Sequence, residues 1–180
     1  MGRAIEGLIC GVIACVSASA PAASTARLSP ELQKLDVSVG RWELHGTTRD
    51  AKSGKVGEFT WSEDCRWSPN SLYLECTFSN VWAGRPVESL VVDTYNATDH
   101  GYWHYELFSS GEPGEHPFVS RMEIRDDTWI EYGRKAIPGK QSGERIVYRW
   151  DPPGRVHVAI ESSQDGVHWS VEAQGDGLKQ

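Results

Sequence analysis

Several things are missing from this chain, and each absence removes a class of function. It has no apolar run near the roughly 20 residues that a helix needs to cross a bilayer; the longest, Gly7 to Val16, falls well short. It has no stripe of lysine and arginine. Its 18 basic and 25 acidic side chains leave a net charge of −7, which argues against nucleic acid and anionic membrane surfaces as partners. The motifs H-E-x-x-H, C-x-x-C and G-x-S-x-G do not occur, nor does a glycine-rich phosphate loop. The six histidines are scattered. His100 and His104 are four apart on turn and strand, which puts them about 13 Å apart rather than side by side as on a helix. No metal site or cofactor is expected. With no linker, low-complexity tract or repeat, the chain reads as one module.

The N-terminus has a pattern of its own. Met1–Glu6 carries one basic residue, an apolar run continues to Val16, and a small-residue stretch extends to Ala26. That order describes a secretory signal peptide. Ala20-Pro21-Ala22 supplies the cleavage motif, which assigns residues 1–22 to the leader; Val16-Ser17-Ala18 is a second site. Val12-Ile13-Ala14-Cys15 also matches a bacterial lipobox, and lipidation of Cys15 would tether the protein to a membrane. Either way the chain is expected to be exported, periplasmic or secreted. Export leaves Cys65 and Cys76 as the only mature cysteines, and in an oxidising compartment such a pair reads as a disulfide. A turn at Asn70-Ser71 places them opposite each other on antiparallel strands, at bridgeable separation.

Residues 23–39 form an N-terminal segment with a short helix. Ser29 suits its N-cap, Pro30 its first position and Glu31 the positive end of its dipole. Leu28, Leu32 and Leu35 give it an apolar side with which to plug one end of a barrel. From Gly40 the chain breaks into about ten short alternating strands rich in aromatics, which cannot stay flat without exposing edges. Residues 40–180 are therefore expected to close into an all-β, antiparallel, up-and-down barrel wide enough to enclose a cavity.

Counting through the turns assigns an inward face. Trp42, Leu44, Phe59, Trp61, Trp67, Leu74, Phe78, Leu90, Val92, Trp103, Tyr105 and Leu107 belong to it in the first half, and Phe118, Met122, Ile124, Trp129, Val147, Val158, Ile160, Trp169 and Val171 in the second. Glu63, Ser120, Glu131, Arg145 and Arg149 are the polar residues on that face. The expected ligand-binding set is Trp61, Trp103, Tyr105, Trp129, Glu131, Arg145 and Arg149, with aromatic walls for an apolar body. Arg145 and Arg149 lie on one strand, placed to grip a carboxylate. The alternative is that the two arginines only neutralise Glu131, or lie outside if the Asp126-Asp127 or Pro152-Pro153 turn is one residue different.

Gly40-Arg41-Trp42 after a short helix resembles the opening of lipocalin-like (calycin) barrels. Ser29-Pro30-Glu31-Leu32, the strand end at Tyr95 and the closing Ser162-Ser163-Gln164-Asp165-Gly166-Val167-His168-Trp169 resemble a bacterial family of exported lipocalin-like proteins of unknown function. The resemblance implies a barrel with an internal cavity and no established activity. Nitrobindin-like barrels, more distantly similar, have ten strands and bind haem. Gly40, Trp42 and Gly46 fit their opening motif, but Leu44 stands where it has glycine, and no haem is expected.

The functional expectation is a lumen that binds a small hydrophobic or amphipathic molecule. Two alternatives are an enzyme using the cavity for isomerisation, cyclisation or hydrolysis, and a structural envelope protein with a filled barrel. A lumen lined only by aromatics favours binding, a desolvated glutamate beside a histidine favours catalysis, and a filled barrel with an exposed aromatic patch favours the third.

Overall fold

A computed structural model describes residues 28–49, 53–82, 85–108, 117–133, 143–151 and 153–180. The expected leader, Cys15 and both candidate cleavage sites lie outside the described residues. A short helix, α1 (Pro30–Gln33), runs into a 3-10 helix (Lys34–Ser38). Ser29 caps α1 by accepting from the Leu32 amide, and Pro30 opens it, as their positions in the sequence predict.

Ten antiparallel strands come next: β1 (Gly40–Arg49), β2 (Val56–Trp67), β3 (Leu74–Trp82), β4 (Arg85–Asn96), β5 (Gly101–Phe108), β6 (Phe118–Arg125), β7 (Thr128–Tyr132), β8 (Gly143–Asp151), β9 (Arg155–Ser163) and β10 (Ser170–Lys179). Each pairs with its successor, and β1 pairs with β10 to close the barrel. Closure removes the exposed edges that ten sequential hairpins would leave. The seam depends on glycine: a Cβ at Gly175 would lie 2.6 Å from the His45 carbonyl oxygen and 2.9 Å from Leu44 Cδ2. At the start of β1, Gly40 has φ +112°, a conformation that L side chains rarely adopt.

The helical segment plugs one end. Leu35 is fully buried and Leu32 nearly so, in one cluster with Trp42, Trp129, Trp150 and Val156. Three hydrogen bonds from barrel side chains tie it down. Trp42 Nε1 donates to the Ser38 carbonyl at 2.8 Å, Tyr102 Oη to the Glu31 carbonyl at 3.0 Å, and Trp67 Nε1 to Asp36 at 2.7 Å.

The cysteines meet as expected. Cys65 pairs with Cys76 across β2 and β3, and the two are disulfide-bonded with Cα atoms 4.1 Å apart. Both are buried, beside Leu74 and Val91. The closed loop is short, so replacing both by alanine should cost about 2–3 kcal/mol, read from urea denaturation. In the folded protein both thiols should resist alkylation until a reductant is added. Ready labelling without reductant would show the pair to be free.

Several turns differ from expectation. Trp82 pairs with Arg85 across two residues rather than three, which puts Cys76 opposite Val91 instead of Val92. The pairing of β4 with β5, Val92 to Tyr105 and Leu90 to Leu107, is as expected, so both strands are turned over together. Leu90, Tyr105 and Leu107 are exposed, while Ser89, Val91, Asp93 and Tyr102 are buried. Asp151 pairs with Arg155 across three residues, Pro152, Pro153 and Gly154, and Tyr148 rather than Val147 opposes Val158. Gly154 has φ +77°, the left-handed residue that three-residue hairpin loops use. β10 also sits further along than expected. Ile160 faces Ala173 rather than Trp169, with a bulge between Val171 and Ala173, and Val171 is exposed. The first hairpin shifts by two residues, Trp42 facing Glu63, and an even shift keeps every side chain on its face.

Candidate functional site

The lumen is built in layers. Near the plug, Trp42 meets Trp150 edge to face at 5.1 Å, and Trp129 lies against Trp150 at 5.0 Å. Toward the other end, Trp61 packs between Phe59 and Phe78 at 5.9 and 5.5 Å. A polar group lies between these aromatic layers. Glu63 (β2), Asp93 (β4), His104 (β5), Glu131 (β7) and Tyr148 (β8) line one cavity with Trp42, Trp61, Trp129 and Trp150. The cavity offers about 40 Å³ to the centres of water-sized molecules; one water needs roughly 10–15 Å³ on that measure, so it has room for about three.

His104 is the hub. Its Nδ1 lies 2.9 Å from Asp93 Oδ1 and its Nε2 3.7 Å from Glu131 Oε1. Burial works against a charged imidazole here, but Glu131, Asp93 and Glu106 outweigh it and hold His104 up at about 10. It is a buried imidazolium, and Nδ1–H donates to Asp93. Glu131 is only 2 % exposed and accepts from Ser120 Oγ at 2.8 Å and Tyr148 Oη at 3.4 Å. Burial together with Glu131, Glu63, Asp93 and Glu106 keeps the Tyr148 phenol protonated, well above its ordinary range.

Glu63 differs from the other carboxyls. It lines the cavity, and none of the hydrogen bonds or ion pairs of the cluster involves it. Burial first, then repulsion from Asp93, Glu131 and Glu106, lifts it from 4.5 to about 7, with His104 pulling the other way. A second polar group on the same wall also stands apart: Trp150 Nε1 is buried with no acceptor among the described residues.

Of the residues expected to contact ligand, Trp61, Trp129 and Glu131 line this cavity. Trp103, Tyr105, Arg145 and Arg149 do not face it, because the two odd register differences turn them outward. Trp103 stacks on Tyr105 at 6.5 Å, donates to Asp99 and lies under Arg121. Arg145 bonds Glu161 through Nε at 2.6 Å and covers the Trp169 ring at 4.0 Å. Arg149, opposite His157, is exposed. The arginine pair is therefore not a carboxylate clamp in the lumen, and Trp169 is not core.

The register differences also hid Asp93, His104, Tyr148 and Trp150. Two signals for them are present: Gly154 marks the longer Pro-Pro-Gly loop, and an inward Cys76 is compatible with Val91 and Asp93 on the inward face of β4. Among the described residues, one group of metal-ligating atoms lies close enough for an ion, Glu63 with Cys65 and Cys76, but its sulfurs are joined in the disulfide.

These features define a closed ten-stranded antiparallel barrel with an ionised polar centre between aromatic layers. Among solved structures, the crystal structure of Rv2717c from M. tuberculosis is similar to it, with a TM-score of 0.54 and 15% identity, over 86% of this chain and 99% of that one. The likeness is one of fold. No family model matches the sequence, and no curated protein matches it significantly.

Proposed function

We propose that this barrel is an exported, lipocalin-like binding protein whose lumen takes a small amphipathic molecule. The observation that carries the reading is an internal cavity with aromatic walls, on which, among the described residues, the buried Trp150 Nε1 has no acceptor and Glu63 takes no part in the hydrogen bonds of the cluster. Buried polar groups ordinarily find a partner, and a bound molecule would supply it. The size of the cavity favours a small head group with a slender body rather than a bulky ring system. The signal-peptide pattern and the buried disulfide support export.

Titration with n-hexanol tests this. Saturable quenching of tryptophan emission is expected, weakened in Trp61→Ala and unchanged in Arg145→Ala and Arg149→Ala, whose side chains lie outside. Absence of saturation, or equal effects from the arginine variants, would overturn the reading.

One observation favours a second reading. A desolvated glutamate poised near neutral pH, beside a histidine, suits general acid–base catalysis. In that case the lumen would convert its ligand by proton transfer. Glu63→Gln would then abolish conversion of a bound molecule while leaving its binding intact.

A further inference from the structure

We propose that the head group this lumen accepts is a protonated amine, seated against the Glu63 carboxylate. The inference rests on the binding reading above and goes on to assign the chemistry of the ligand.

The charges that face the cavity are unbalanced. Glu63, Asp93 and Glu131 line it, and among the described lining residues His104 is the one cation. That cation is already committed, to Asp93 on one nitrogen and Glu131 on the other. Glu131 is supplied further by Ser120 and Tyr148. Among the described residues no hydrogen bond or ion pair of the cluster reaches Glu63, and the three carboxyl groups outnumber the single cation by two. An anionic head group placed there would meet three carboxyl groups. A neutral one would leave the imbalance in place, whereas an ammonium would reduce it with a charge-assisted hydrogen bond to Glu63. The walls suit the same choice, since Trp61 and Trp129 line the cavity and aromatic rings attract a desolvated cation. Trp150 Nε1 is an independent observation, a donor without an acceptor among the described residues in a side chain 6% exposed. It calls for an acceptor, which a hydroxyl on the amine or an accompanying water would provide.

The proposal makes binding depend on pH through Glu63. The titratable groups that act on it are Asp93 on β4, His104 and Glu106 on β5, and Glu131 on β7, and Tyr148 on β8 is coupled to it. His104 stays charged until about 10, so between pH 6 and 8 Glu63 is the group that changes. Its proton must leave for the ammonium to pair, so amine affinity should rise with pH through about 7.

The test compares n-butylamine, n-butanol and butyrate, which share one slender body, by following the tryptophan indole N–H signals in NMR titrations of the mature protein. The amine should bind at least tenfold more tightly than the alcohol at pH 8, with butyrate weakest. The advantage should shrink at pH 6, and calorimetry near pH 6.5 should detect proton release on amine binding. Glu63→Gln should reduce amine affinity at least tenfold while the alcohol binds as before; the charge series and pH profile of the unmodified protein stand even if that variant misfolds. Equal binding of all three, or a preference for butyrate, would overturn the amine assignment and leave the binding lumen intact. Failure of all three to bind would overturn both.

Discussion

Replacing His104 by alanine should destabilise the barrel by about 3–5 kcal/mol at neutral pH, because it leaves two buried carboxylates without their cation. Asp93 and Glu131 are each almost inaccessible, with 9% and 3% of their side-chain surfaces exposed, and both face this imidazole. The pH dependence should identify the cause. Held up from 6.5 to about 10, His104 keeps in the folded state a proton that the unfolded chain releases between those values. Its contribution is complete below about pH 6.5 and is lost as pH climbs to about 10. Glu63, lifted from 4.5 to about 7, acts in the same direction over its own window. The folded state holds its proton more tightly, and stability declines between those two values. The intact protein should therefore lose stability steadily from about pH 5 to pH 10. In His104→Ala the decline above pH 7 should vanish. Urea denaturation between pH 5 and 9 reads all of this. A loss below about 1 kcal/mol, or an unchanged slope above pH 7, would show that the imidazolium is not what compensates them.

That cluster also marks where the sequence stopped being legible. Strand number, the plug and the disulfide follow from local chemistry: alternation, Ser29-Pro30 at a helix start, and two cysteines flanking one turn. None needs more than a few residues of context. Which face of β4, β5 and β8 looks inward depends instead on the parity of two loops, and a single residue of difference inverts a whole strand. Hydrophobicity gave the wrong parity for a physical reason. On β4 and β5 the barrel turns Leu90, Tyr105 and Leu107 to the outside, buries Asp93 and sets the mostly covered His104 against it. Alternation read as apolar-inside fails wherever a lumen is polar by design, and such places tend to be functional. Trp129, Glu131, Ser120 and Met122 face inward as expected, and Asp126-Asp127 is a two-residue turn, with Arg125 facing Thr128.

The inversion reverses the expected ligand as well. With Arg145 and Arg149 inside, the lumen would be a site for carboxylates. With both outside, the one carrying its own partner Glu161 and the other exposed, the lumen keeps its acidic groups and a single committed imidazolium. The shape of the container could be inferred without resolving the loop parity, whereas the sign of its charge could not.

Trp42→Ala should produce a loss of similar size, about 3–5 kcal/mol, by a different route. Trp42 is 3% exposed, and it joins plug to barrel: its ring meets Trp150 at 5.1 Å, and its Nε1 donates to the Ser38 carbonyl at 2.8 Å. Removing the side chain opens a void among residues already fixed by Trp129, Val156 and Leu35, which can collapse only in part. It also frees a buried carbonyl, worth about 1 kcal/mol. Trp42→Phe separates the two contributions. It keeps most of the packing but loses the donor, so about 1–2 kcal/mol is expected. The destabilisation should be insensitive to pH, in contrast to that of His104→Ala, because no titrating group is removed. A lumen opened at the plug should also bind an apolar dye such as ANS that the intact protein excludes. Urea denaturation at two pH values, with dye binding on the same samples, settles the matter. Equal losses for the alanine and phenylalanine variants would mean that the hydrogen bond, not the packing, holds the plug. A loss under 2 kcal/mol for alanine would mean that the helix stays seated without Trp42.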